Sequence, residues 1–137
     1  MTLVLVIDDQ PEIRKMARRI LSMAGHSVIE AEDGAAGLKQ LASHRPTIVL
    51  TDILMPGIEG METIFAIRRT APEVKVIAMS GSGVEGGFDY LEMAGRAGAD
   101  AVLPKPFRAR ELTAIVDRLL PGAPDPARSS IEESERR

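Results

Sequence analysis

Apolar and polar positions fall in blocks along this chain. Short unbroken apolar runs, Leu3-Val4-Leu5-Val6-Ile7 and Ile48-Val49-Leu50 the clearest, are separated by segments whose apolar residues recur every three or four positions. An unbroken run reads as a strand buried on both faces, and such strands belong to parallel sheets covered by helices. The three-to-four spacing reads as one face of a helix. Strands are therefore predicted over Leu3 to Ile7, Ser27 to Ala31, around Ile48, Val74 to Met79, and Ala101 to Leu103. A first helix is predicted from Pro11, with Ile13, Met16, Ala17, Ile20, Leu21 and Ala24 at helical spacing and Gly25 closing it. Further helices are predicted over Gly34 to Ala42, about Gly60 to Thr70 with Met61, Ile64, Phe65 and Ile67 inward, Asp89 to Ala97, and after Pro106 with Leu112, Ile115, Val116, Leu119 and Leu120. Strands alternating with helices in this way imply an α/β fold, a doubly wound five-stranded parallel sheet flanked by five helices, because each right-handed crossover returns a strand beside the sheet.

Composition narrows the classes without choosing among them. A chain of 137 residues makes about one domain and buries most of its apolar surface without staples. Cys is absent, so neither a disulfide framework nor thiolate chemistry is available. The formal net charge is −3 with pI near 5.4, and the basic residues are scattered, so no nucleic-acid partner is expected. The roughly 18-residue apolar run that a membrane span needs is missing, and the opening Met-Thr-Leu-Val-Leu-Val-Ile lacks a basic leader and runs into Asp8-Asp9. A cytoplasmic protein with no membrane contact is the expectation. Residues 1–120 read as the domain, and residues 121–137, from Pro121-Gly-Ala-Pro-Asp-Pro to the charged end, as a flexible tail.

The polar residues that end the strands carry the chemistry. Asp8 and Asp9 follow the first strand and Asp52 ends the third, so three carboxylates should gather at the carboxyl edge of neighbouring strands. Like charges so close repel unless a cation is present, and an oxygen-only donor set suits Mg²⁺. The alternative is that Asp8 or Asp9 caps the Pro11 helix. Ser80 ends the fourth strand and Lys105 follows the fifth, bringing a hydroxyl and an ammonium suited to hold a phosphoryl group at Asp52.

With those residues in view the sequence resembles a response-regulator receiver domain of the stand-alone chemotaxis or phosphorelay type, which has a flavodoxin-like fold. The resemblance covers roughly residues 3 to 120, through Val-Ile-Asp8-Asp9, Thr-Asp52-Ile-Leu-Met-Pro56-Gly-Ile-Glu-Gly60, Met-Ser80-Gly and Ala-Gly-Ala-Asp100-Ala-Val-Leu-Pro-Lys105-Pro106-Phe107. It implies that Asp52 is the phosphoacceptor. It further implies that Asp9, Asp52 and the backbone carbonyl of Leu54 bind Mg²⁺ directly, and that Asp8 does so through water. Ser80 and Lys105 would contact the phosphoryl oxygens, and the peptide before Pro106, cis in family members, would aim the lysine inward. Partners implied are a sensor histidine kinase or histidine phosphotransferase and a downstream protein target, in a two-component system or phosphorelay. The protein would be a single-domain regulator rather than an enzyme in the ordinary sense, limited to self-catalysed transfer onto Asp52 and slow loss of the phosphoryl group.

The sequence also departs from that family. Val102 stands three residues before the lysine, where relatives carry a Tyr or Phe that moves on phosphorylation. Residues 81 to 104, 24 in all, separate Ser80 from Lys105, more than in most relatives, and Gly81, Gly83, Gly86 and Gly87 load that stretch. Signal output is therefore expected through a conformational change of the Gly81 to Gly87 loop and the following helix, with Phe88 and Tyr90 moving; a long surface loop with no role is the alternative. Leu54 and Ser82 occupy the positions that tune acyl-phosphate lifetime in the family, and Leu54 offers no group to orient water, so a long-lived phosphorylated form is expected. Two other functions compete: a small phosphohydrolase using Asp8, which has Gln10 where its second acid belongs, and a degenerate receiver that only docks.

Overall fold

Even- and odd-numbered residues of each central strand point into different layers, and this places the site. The computed structural model describes residues 2–53, 60–80, 84–85 and 88–120, with the backbone alone at 60, 84, 85 and 88–91. Its elements are β1 Leu3–Ile7, α1 Pro11–Met23, β2 Ser27–Ala31, α2 Gly34–His44, β3 Ile48–Asp52, α3 Gly60–Thr70, β4 Lys75–Ser80, β5 Val84–Glu85, β6 Phe88–Asp89, α4 Tyr90–Ala97, β7 Ala101–Pro104 and α5 Ala109–Leu119. Five strands form a parallel sheet in the order β2-β1-β3-β4-β7. Val4, Val6, Ile48, Leu50, Ile77, Met79 and Leu103 meet Ala17 and Leu21 of α1 and Leu112 and Val116 of α5. Leu5, Ile7, Val49, Val76 and Ala78 meet Leu41 of α2, Ile64 and Ile67 of α3 and Ala94 of α4. The expected doubly wound architecture is the one present.

Local chemistry explains the element ends. The Asp33 side chain caps α2 by accepting from the Ala36 amide at 2.8 Å, and Arg45 closes that helix in the left-handed region. Gly25, at φ +94, ends α1, where its amide reaches the Ser22 carbonyl at 3.0 Å and the His26 amide reaches that of Leu21 at 3.0 Å. At Gly37 a Cβ would stand 2.9 Å from Cγ1 of buried Ile7, so α2 lies closer to β1 than any side chain would allow.

Several sequence expectations need correction. Phe65, expected inward, is 53% exposed: Ile64 and Ile67 fill the buried face of α3 and leave Phe65 to solvent. Met16 likewise sits at the margin of its helix, 36% exposed. The stretch expected to be plain loop before α4 contains an antiparallel ribbon, Val84 pairing with Asp89 and Glu85 with Phe88, so α4 begins at Tyr90. β4 starts one residue later than expected and includes Ser80. The expected tail, residues 121–137, lies outside the described residues.

At the amino edge of the sheet, one carboxylate joins two turns. Asp100 Oδ2 accepts from the Val76 amide at 2.8 Å and from Arg68 Nη2 at 2.9 Å, while the Arg68 guanidinium also donates to the carbonyls of Pro72, at 3.0 Å, and Val74. Removing the carboxylate strands a buried strand amide, a loss of about 1–3 kcal/mol. Asp100→Ala should therefore lower the midpoint of thermal unfolding by roughly 5–10 °C. A shift smaller than about 2 °C would show that the Val76 amide does not depend on Asp100.

Candidate functional site

Between β1 and β3 the strand order reverses direction, and the carboxyl edge at such a switch point is open to ligands. Extending the two-residue period past the strand ends puts Asp8 with Val4 and Val6, Asp52 with Ile48 and Leu50, and Lys105 with Ala101 and Leu103, all on the α1 and α5 side. Each end is held by one further backbone bond. The Asp8 amide donates to the Ala31 carbonyl at 3.1 Å, the Ile53 amide to Met79 at 3.0 Å and the Lys105 amide to Ser80 at 2.7 Å. The Lys105–Pro106 peptide is cis.

These placements bring the side chains together. Lys105 Nζ donates to Asp8 Oδ2 at 2.8 Å and to Asp52 Oδ2 at 3.0 Å, with Gln10 Oε1 at 3.4 Å. Asp8 is fully buried, Asp52 is 4% exposed and Asp9 is exposed. One carboxylate oxygen from each of Asp8, Asp9 and Asp52 lies within 4.8 Å of the others. Ser80, also fully buried, ends the neighbouring strand on the opposite parity, among the residues of the α2 to α4 layer. Four of the predicted side chains, Asp8, Asp9, Asp52 and Lys105, thus form one cluster, with Ser80 at its margin. Leu54 and Ser82 lie outside the described residues, as do Gly81, Gly83, Gly86 and Gly87 and the side chains of Phe88 and Tyr90. Val102 projects from edge strand β7, 38% exposed.

Helix capping does not account for the acids. The N-cap of α1 is Gln10, and no side chain caps it. Asp8 Oδ1 instead accepts from the Gln10 amide at 2.9 Å, fixing the turn and leaving Oδ2 to the lysine. Gln10 and Arg14, whose Nη1 donates to the Asp8 carbonyl at 2.7 Å, were not among the predicted site residues. Gln10 was legible only as the residue standing where a phosphohydrolase would carry its second acid, and Arg14 only as a charge near a helix start.

The electrostatics favour an added cation. Burial raises the Asp8 pKa above its ordinary 3.8; hydrogen bonds from Lys105 and the Gln10 amide and the Lys105 charge offset part of this, and the Asp52 charge adds to it. A carboxyl whose pKa is raised by folding contributes stability below its unfolded value, and that contribution is lost as pH rises through the folded value. Ionised Asp8 therefore loads the fold at neutral pH. Burial works against the Lys105 ammonium too, but hydrogen bonds to Asp8 and Asp52 outweigh it, and its pKa lies above the usual lysine value. One ammonium faces three carboxylates, all offering oxygen, and this donor set fits a hard divalent ion such as Mg²⁺. No helix among the described residues is long and apolar enough to cross a membrane.

Comparison with known proteins identifies the family. The sequence matches the response regulator receiver domain family over residues 4–117. Response regulator MprA of Mycobacterium sp. strain KMS is 36% identical over 121 residues, which are 85% of this chain and 50% of that protein. The chain thus spans about half the length of the curated relatives it matches. The receiver domain of NtrX from Brucella abortus superposes with a TM-score of 0.80 at 31% identity, over 87% of this chain and 98% of that one. TrrA of Thermotoga maritima, in complex with Mg²⁺-BeF, superposes with a TM-score of 0.77 at 32% identity, over 88% of this chain and all of that one.

Mg²⁺ at about ten times its dissociation constant should stabilise the protein by roughly 1.4 kcal/mol. A thermal scan should show this as a rise of about 4 °C. Asp9→Asn should abolish most of that rise at the same concentration; an undiminished rise would place the ion elsewhere.

Proposed function

The chain belongs to the response regulator receiver domain family, and we propose that it accepts a phosphoryl group on Asp52 from a phosphohistidine of a sensor kinase or histidine phosphotransferase. The observation that carries this reading is the Lys105 ammonium, 3.0 Å from Asp52 Oδ2 and 2.8 Å from Asp8 Oδ2 at the switch point of the sheet. An Asp52 oxygen forms the new bond to phosphorus as the phosphorus–nitrogen bond breaks, and the imidazole nitrogen keeps the electron pair and takes a proton. Asp8, Asp9 and Asp52 would hold Mg²⁺, which supplies positive charge to the phosphoryl oxygens when bound. Lys105 then exchanges its contact with Asp52 for a phosphoryl oxygen while Asp8 keeps it in place, and Ser80 donates its hydroxyl to a second oxygen.

The test is intact mass after incubation with acetyl phosphate and Mg²⁺. Wild type should gain one phosphoryl group and Asp52→Asn none. Labelling that persists in Asp52→Asn but vanishes in Asp8→Asn would instead identify a phosphohydrolase nucleophile at Asp8. Failure of the wild type to gain mass would leave a docking module.

Output follows from which neighbours can respond. Ser80 is the last residue of β4, and the β5 and β6 ribbon lies between it and α4. Val102, stiff at χ1 and on the edge strand, cannot make the swing of an aromatic ring. Movement of Ser80 toward a phosphoryl group would therefore bias the ribbon and α4, which contact a downstream protein. Amide shifts on adding beryllofluoride should be largest from Ser80 through about Met93 and small around Val102. Changes centred on Val102 and α5 would overturn this route.

A further inference from the structure

Asp8 carries two of the site's constraints on its side chain, and a third on its carbonyl oxygen. Past Ile7 the β1 ladder ends, and no backbone amide among the described residues reaches that oxygen. Arg14 Nη1, one turn into α1, donates to it at 2.7 Å. The same guanidinium is braced from the next strand, with its Nε 3.4 Å from Glu30 Oε1. Glu30 is in turn held by Arg18, whose Nε donates to Oε2 at 2.6 Å. Arg14 and Arg18, four residues apart on one helix face, would repel without that carboxylate between them. The Arg14 side chain is only 19% exposed.

A peptide unit is planar, so fixing the Asp8 carbonyl fixes the Asp9 amide and the direction in which the Asp9 chain leaves it. The Asp9 carboxylate is exposed, and among the described residues no hydrogen bond to it is found, so its aim is set by that backbone. We propose that Arg14, braced by Glu30, is a positioning residue for the divalent cation: by holding the Asp8–Asp9 peptide it keeps the Asp9 carboxylate convergent with those of Asp8 and Asp52. This rests on the reading that the acidic cluster holds Mg²⁺. A fork-shaped guanidinium suits the task because one edge can bond the carbonyl while Nε faces the carboxylate.

Positioning and charge predict opposite signs. A purely electrostatic Arg14 would repel Mg²⁺, and its removal would tighten binding, whereas removal of a positioning group loosens it. The experiment is a Mg²⁺ titration followed by backbone amide shifts of wild type, Arg14→Ala and Glu30→Gln, with thermal scans in the absence of Mg²⁺. Outer partners of metal ligands typically change affinity about 10–100-fold, and for this backbone-mediated contact Arg14→Ala should weaken Mg²⁺ by about 10-fold. Glu30→Gln, which keeps the shape of the brace but not its charge, should weaken it about 3-fold and serves as the readout should Arg14→Ala fail to fold. An unchanged dissociation constant beside a lowered melting temperature would make the pair merely structural, and a tighter one would make it electrostatic; either overturns the proposal. Absence of Mg²⁺ binding by the wild type would instead remove the reading of the cluster itself.

Discussion

One ammonium set between two buried carboxylates is the interaction on which the carboxyl edge depends. Two unit charges about 4–5 Å apart repel by roughly 3–4 kcal/mol at an effective dielectric near 20, a sizeable part of a domain's stability. Lys105 makes Asp8 and Asp52 tolerable as neighbours, and it reaches them because its strand ends on the same parity as theirs. The arrangement is not relaxed: burial still pushes Asp8 up, and Asp9 adds a third acid with no ammonium of its own among the described residues. A site in this condition has something to gain from a hard cation and an arriving phosphoryl group. The electrostatic cost of gathering these acids and the fit of their oxygens to a hard cation have a single origin.

Much of this was legible in the sequence because it follows from short-range rules. Apolar runs ending in Asp8, Asp52, Ser80 and Lys105 fix both the strands and the edge where their last residues meet. What escaped notice depends on geometry between elements. Gln10 and Arg14 look like ordinary helix-start residues until α1 is laid against β1 and β2, when one faces Lys105 and the other spans back to the Asp8 carbonyl. Phe65 follows Ile64 in an apolar pattern, and only the packing of α3 shows that the buried stripe is too narrow for both. The β5 and β6 ribbon is hard to see in the sequence because four glycines make the stretch read as loop; two short segments, Val-Glu and Phe-Asp, separated by Gly-Gly, are themselves a hairpin signal.

The two edges of the sheet are built on different terms. At the amino edge, Asp100 and Arg68 join the start of β4 to the turn before β7 through bonds that satisfy buried backbone groups. At the carboxyl edge the polar groups face one another and a strained balance of charge. An element anchored at one end and electrostatically loaded at the other responds at the loaded end. This division is the one the proposed function needs, since phosphoryl transfer to Asp52 would have to move Ser80 and α4 without disturbing the sheet.

The direction of the strands has a practical consequence. Each strand carries the chain toward the cluster and each helix carries it back, so β1 begins and α5 finishes at the amino edge, with the cluster at the other end of the sheet. Anything joined before Leu3 or after Leu120 starts out at the opposite edge of the sheet from the acidic cluster. A fluorophore, a surface tether or a fused reporter placed at either point would be attached at the edge opposite Asp52, and immobilisation through either would present Asp52 outward.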